Sequence, residues 1–189
     1  MAEENPKTRR DDTDWIPPLG IVFQGAIAFQ QHGKNHRQRL SQDEKCLLSA
    51  AAYGDVEMVT NYVTNCNVNL AAQDSLGRTA FILSIVNNQN KVVEYLIDVV
   101  SLREIYDGLI CALRGMLSGI ALFIIHHQRY EQLKWHTEPE TNDLTSVQFD
   151  LNLELSPLEV AAQENLFIVV QSLLEKGERI LPPHESTKR

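Results

Sequence analysis

Apolar and polar positions alternate with helical spacing in three separate stretches, and the stretches resemble one another. Residues 49–63 read SAAAYGDVEMVTNYV, residues 78–96 read RTAFILSIVNNQNKVVEYL, and residues 156–174 read SPLEVAAQENLFIVVQSLL. Each predicts a first helix rich in small residues, then a sharp turn, then a second helix with paired apolar residues at i, i+3 and i+4. Superposing them sets Gly54 against Asn88 and Asn165, and Met58-Val59 against Val92-Val93 and Val169-Val170. Gly and Asn are the residue types that best tolerate a positive φ, so these three positions are the expected helix-to-helix turns. Small residues (Ala50, Ala51, Ala161 and Ala162) let neighbouring first helices approach closely. Thr79 and Ser156-Pro157 stand where first helices begin, as N-caps and as a proline at the first helical position.

The interval from Gly54 to Asn88 is 34 residues, near the 33-residue ankyrin period. From Asn88 to Asn165 the interval is 77 residues, which leaves room for one more unit and an insertion. Residues 108–125 fit as that unit, with Ala112 in the small-residue position, Gly119 opening the second helix, and Gly108, Gly115 and Gly119 suited to a break between two short helices. The expected fold is all-α, an ankyrin-repeat solenoid of about four helix pairs. Its units span about 45–66, 74–100, 107–126 and 154–178 within a domain over 40–178, with a polar insertion over 127–153. A flexible segment over 1–39 precedes it and a tail over 179–189 follows. No unit can bury its apolar face alone, so stacking must supply the core.

The segment Asp74-Ser75-Leu76-Gly77-Arg78-Thr79-Ala80 resembles the Asp-x-Leu-Gly-Arg-Thr-Ala segment of the short transient receptor potential cation channels. Leu40–Glu44, Gly54-Asp55, Ile110–Arg114, the long insertion, Ser156-Pro157 with Ala161-Ala162, and Leu174–Gly177 followed by Pro183-His184-Glu185 are similar to that family's segments in the same order. The resemblance covers about residues 40–185. It implies the cytosolic ankyrin region of a subunit of a tetrameric, calcium-permeable, non-selective cation channel, on the cytoplasmic side of the plasma membrane. The chain reaches Arg189 before the family's linker helices and membrane segments, so assembly and protein contact, not conduction, are expected of it. A truncated subunit could interfere with the assembly of full-length ones. The family follows its Pro-His-Glu with cysteines that bind zinc, whereas Ser186–Arg189 hold none, so no zinc is expected. A free-standing cytoplasmic ankyrin adaptor is the alternative.

Composition narrows the function classes. Across 189 residues the chain is 43% hydrophobic and 22% charged, with a net charge of −8. That balance fits a folded domain and gives no basic face for nucleic acid. The basic run Lys34–Arg39 reads as a solvated linker. The 17-residue apolar stretch 109–125 carries Arg114 at its middle, a costly place for a charge in a bilayer, so no membrane span is expected. Cys46, Cys66 and Cys111 lack C-x-x-C spacing and read as the thiols of a reduced compartment. His126, His127, Glu131 and His136 look like a metal cluster, yet only His127 and Glu131 have helical i, i+4 spacing. No catalytic residue, metal, cofactor or small-molecule substrate is expected. Asp74, Gly77, Arg78 and Thr79 are assigned a structural role, with Asp74 and Gly77 shaping a turn and Arg78 bridging to a carbonyl or carboxylate. Trp15 and Trp135 lie outside the repeats as edge-packing or interface residues.

Overall fold

A computed structural model describes residues 40–135 and 155–179. Expectations for residues 1–39, for Trp15, for His136 and the rest of the insertion to 154, and for the tail from 180 lie outside the described residues. Those described are all-helical: α1 (Gln42–Tyr53), α2 (Val56–Asn65), α3 (Ala80–Val86), α4 (Asn90–Leu96), α5 (Leu102–Arg114), α6 (Ser118–His126), α7 (Gln128–Trp135), α8 (Pro157–Gln163) and α9 (Phe167–Glu175).

Helix starts follow from side chains that satisfy free amides. Ser41, Ser101 and Ser156 each accept a bond from the backbone N–H three residues on, while Glu44, Glu104 and Glu159 reach back to the cap amide. These are complete capping boxes. Thr79 caps α3 through its hydroxyl oxygen, 3.4 Å from the Ile82 amide, and Pro157 occupies the first turn of α8. All four hydroxyl caps begin the helices that form the centre of the stack.

One turn recurs at the junction inside each of the four helix pairs. Asp55 N–H donates to the Ala50 carbonyl at 3.0 Å, Gln89 to Ser84 at 2.8 Å, Leu117 to Ala112 at 2.9 Å and Leu166 to Ala161 at 2.9 Å. The residue before each donor has left-handed backbone: Gly54 at φ 84°, Asn88 at 56°, Met116 at 57° and Asn165 at 57°. This i to i+5 bond around a positive φ is a Schellman-type helix end. It folds each first helix back on its partner, and the four acceptors, Ala50, Ser84, Ala112 and Ala161, are all small and buried.

The pairs α1–α2, α3–α4, α5–α6 and α8–α9 then stack. Their first helices pack in the order α1, α3, α5, α8; beside them α2 packs on α4, and α6 on α9. The buried cluster runs through every pair, from Leu47, Leu48 and Val59 through Phe81, Ile85 and Val93 to Leu109, Ile124, Leu158 and Val169. The helices approach closely where α3 meets α5. A methyl group placed on Gly108 would lie 2.5 Å from Phe81 Cε1 and 2.9 Å from Ile85 Cδ1.

Three details differ from the expectations. The third unit, expected over 107–126, begins earlier, because the Ser101 capping box starts α5 at Leu102. Gly108 does not break a helix; it sits inside α5 as a close-approach residue, and the chain reverses at Gly115-Met116, with Met116 in the left-handed position. The opening of the region expected as a polar insertion is helix α7, which packs on α5 and α6 and buries Tyr130 and Leu133. The α7 pattern is polar overall, and its burial comes from distant partners: Arg129 Nη1 donates to the carbonyls of Ile97 (2.8 Å) and Val100 (2.6 Å), and Tyr130 donates to Glu178.

Candidate functional site

Asp74, Gly77, Arg78 and Thr79 are brought together in the turn that leads into α3. Asp74 Oδ1 accepts from the amides of Leu76 (2.9 Å) and Arg78 (2.8 Å), and Asp74 Oδ2 accepts from Arg78 Nε at 2.8 Å. The Asp74 amide donates to the Arg78 carbonyl, and Gly77 takes φ 77° to close the loop. Both charged side chains are buried, with Arg78 Nη2 also 2.7 Å from Asp74 Oδ2. The Asp74 carboxylate thus holds two backbone amides and the Arg78 side chain at once. The Arg78 guanidinium also stands near Cys111 on α5. Burial pushes that thiol up to about 12, an effect Arg78 opposes without reversing. Cys111 is therefore a neutral, inert thiol at physiological pH.

Gly54 and Asn88 are adjacent in space: Gln89, the residue after Asn88, lays its amide against Gly54 and donates to the Ala52 carbonyl at 3.3 Å. Asn165 occupies the same position in the last pair, where its amide bonds the Gln163 carbonyl at 3.4 Å. Met116 completes the set, and the sequence offered no signal for it, because Met does not mark a left-handed position.

The histidines and Glu131 point to separate partners. His126 Nδ1 contacts the Leu122 carbonyl at 2.8 Å, His127 Nε2 lies 3.5 Å from Asp98 Oδ1, and Glu131 pairs with Lys176 of the last unit. Among the described residues, no group of three or more His, Cys, Asp or Glu side chains is arranged to hold a metal. Tyr130 is buried beside Glu178, and burial together with that carboxylate raises its hydroxyl pKa. Through Arg129, Tyr130 and Glu131, helix α7 thus ties the end of the second pair to the end of the fourth, and His127, at the end of α6, faces Asp98 beside it.

Among the described residues, two surfaces combine exposed apolar groups with room for a partner. On α9, Phe167 and Ile168 are 78% and 69% exposed, and Leu174 is exposed beside them. The second is a groove of about 460 Å³ between α4 and α6, lined by Asn88, Asn90 and Glu94 on one side and Leu117, Ile120 and Phe123 on the other. It exists because α4 and α6, unlike α2 with α4 or α6 with α9, do not pack closely together. Among the described residues, no helix is long and apolar enough to cross a membrane.

No protein-family model matches the chain. It is 28% identical over 152 residues to a transient-receptor-potential-like protein of Caenorhabditis elegans, a match over 77% of this chain and 14% of that protein. It is 28% identical over 170 residues to the human short transient receptor potential channel 3, covering 85% of this chain and 18% of the channel. For the mouse short transient receptor potential channel 4 the figures are 27% over 152 residues, 77% and 15%. The chain therefore spans less than a fifth of the length of these relatives, none of which is named as an enzyme. Over most of its length, the chain is homologous to short transient receptor potential channels.

Proposed function

We propose that this chain is the cytosolic ankyrin-repeat part of a subunit of a short-transient-receptor-potential-like, calcium-permeable, non-selective cation channel, and that it acts in subunit assembly and protein contact. The observation that carries the reading is the homology over 77–85% of the chain to proteins named as such channels. The four-fold recurrence of one helix-pair turn, with Gly54, Asn88, Met116 and Asn165 in register, supports the repeat architecture. In this reading Asp74, Gly77, Arg78 and Thr79 form the structural turn between the first two repeats.

The surfaces favour contact over chemistry. Solenoids bind through extended faces, and a terminal repeat exposed to water ordinarily has a polar outer face. Helix α9 instead presents Phe167, Ile168 and Leu174, an apolar set suited to a neighbouring domain or subunit. The test is co-expression of the chain with full-length short transient receptor potential channel 4 subunits, reading agonist-evoked calcium entry. The proposal expects a dose-dependent loss of entry, larger than that caused by an unrelated helical-repeat protein at equal abundance. Unchanged calcium entry at high expression of the folded chain would count against an assembly role.

A further inference from the structure

The groove between α4 and α6 combines features that the stack itself does not use. Its wall is apolar, with Val93 and Ile120 buried, Leu117 half-buried and Phe123 exposed toward solvent. At Gly119, an added Cβ would meet nothing within 4 Å, so the α6 wall is open there. Three polar side chains converge on the α4 side: Asn88, Asn90 and Glu94. Among the described residues, none of these three side chains makes a hydrogen bond or ion pair within the chain. Neighbouring polar groups, by contrast, are engaged: Asn87 bonds the Leu83 carbonyl, Gln89 the Ala52 carbonyl and His127 approaches Asp98.

A cleft with an apolar floor and a few solvent-exposed polar side chains at its rim is a usual form of binding site, and about 460 Å³ lies within the range of roughly 300–1,000 Å³ typical of ligand clefts. Its charge selects the occupant. Glu94 is the ionisable group among the lining residues, and the chain carries a net −8. An anionic ligand is therefore disfavoured and a cationic one steered in. The groove lies along two short helices, a shape that takes an elongated segment laid between them.

We infer that the α4–α6 groove binds a short segment of a partner protein, with an apolar side chain seated between Val93, Ile120 and Phe123 and a neighbouring Lys or Arg paired with Glu94. Asn88 and Asn90 supply amide donors and acceptors to the segment's backbone. This inference deepens the protein-contact reading above and rests on it, but it does not depend on α9 or on channel assembly. Loss of groove binding with assembly intact would sink only the groove.

The probe is a phage-displayed dodecapeptide library panned on the full chain, followed by fluorescence anisotropy of the selected peptides as labelled synthetic versions. The expected result is peptides that pair an apolar residue with Lys or Arg and that bind more weakly as salt rises. Binding should fall at least about tenfold in Glu94→Lys, where attraction becomes repulsion. Gly119→Trp should also block it, because the indole fills open space in the groove; Glu94→Lys, at an exposed position, serves alone if the Trp variant does not fold. Selection of no peptides, selection of peptides without basic residues, or binding unchanged in both variants would overturn the inference. So would concentration-dependent dimerisation abolished by either variant, which would make the occupant a second copy. Peptide binding seen only after removal of residues 1–39 would overturn it too, by making the groove an internal site.

Discussion

Two glycines on adjacent helices should respond to the same substitution with opposite signs. Gly108 lies inside α5 where it crosses α3, and Gly119 lies in α6 facing the groove. On intrinsic grounds a Gly→Ala change gains about 0.8–1 kcal/mol in a helix interior, where Gly108 lies, and somewhat less in a first turn, where Gly119 lies. At Gly119 nothing lies within 4 Å of the new Cβ, so most of that gain is kept. At Gly108 the methyl would sit 2.5 Å from Phe81 Cε1, 2.9 Å from Ile85 Cδ1 and 3.0 Å from Phe81 Cδ1. Phe81 and Ile85 are fully buried, so a rigid ring and its neighbours must shift together. Overpacking of this kind costs about 1–3 kcal/mol, and contacts this short place it at the upper end. The net expectation is a loss of about 1–2 kcal/mol for Gly108→Ala and a gain of about 0.5–1 kcal/mol for Gly119→Ala. Urea denaturation followed by circular dichroism at 222 nm reads both, as shifts of the midpoint in opposite directions. A Gly108→Ala variant as stable as Gly119→Ala would refute the close α3–α5 crossing, and with it the stacking register.

Further outcomes follow from the same geometry. Asp74→Ala removes acceptors for two amides and leaves the Arg78 charge buried, so a loss of about 3–5 kcal/mol is expected in chemical denaturation; a loss below 1 kcal/mol would show the turn to be dispensable. Met116→Asn should stabilise by about 0.5–1 kcal/mol, because a non-glycine residue held at φ 57° stores strain that Asn bears better. Thermal melting checks it, and destabilisation would contradict the assigned turn. For Cys111, folding favours the protonated thiol. Its contribution to stability is complete below the unfolded value near 9 and is lost as pH rises toward about 12, at about 1.4 kcal/mol per pH unit. Cys111→Ala should flatten that alkaline decline relative to the parent chain, and identical slopes would contradict the assignment. Native-state titration with a thiol reagent should leave Cys111 unmodified while Cys46 and Cys66, both partly exposed, react.

Much of the pairwise helix pattern could be read from the sequence because local chemistry encodes it. The caps at Thr79 and Ser156 and the positive-φ tolerance of Gly54, Asn88 and Asn165 are short-range signals, and the structure places each at a helix end. The third pair was harder to bound, since its left-handed residue is Met116 and its glycines suggested a break that Gly108 does not make. Helix α7 was invisible for a different reason. Its stretch is mostly polar, and Tyr130 is buried by a contact 48 residues away while Arg129 bonds carbonyls 29 and 32 residues away. The groove was equally hidden, because it arises where α4 and α6 diverge, a relation between elements that no local pattern carries.

Co-purification tests the central claim most directly. The chain, carrying an affinity tag, is co-expressed with untagged full-length human short transient receptor potential channel 3, solubilised in mild detergent, and captured. The account predicts that the channel is recovered with the chain and elutes with it in one peak on size exclusion. It also predicts that replacing Phe167 and Ile168 by Ser, on the exposed face of α9, reduces the recovery at least about fivefold, with the helical content of the chain unchanged. A folded chain that captures no channel, and that remains monomeric at every concentration reached, would contradict the account.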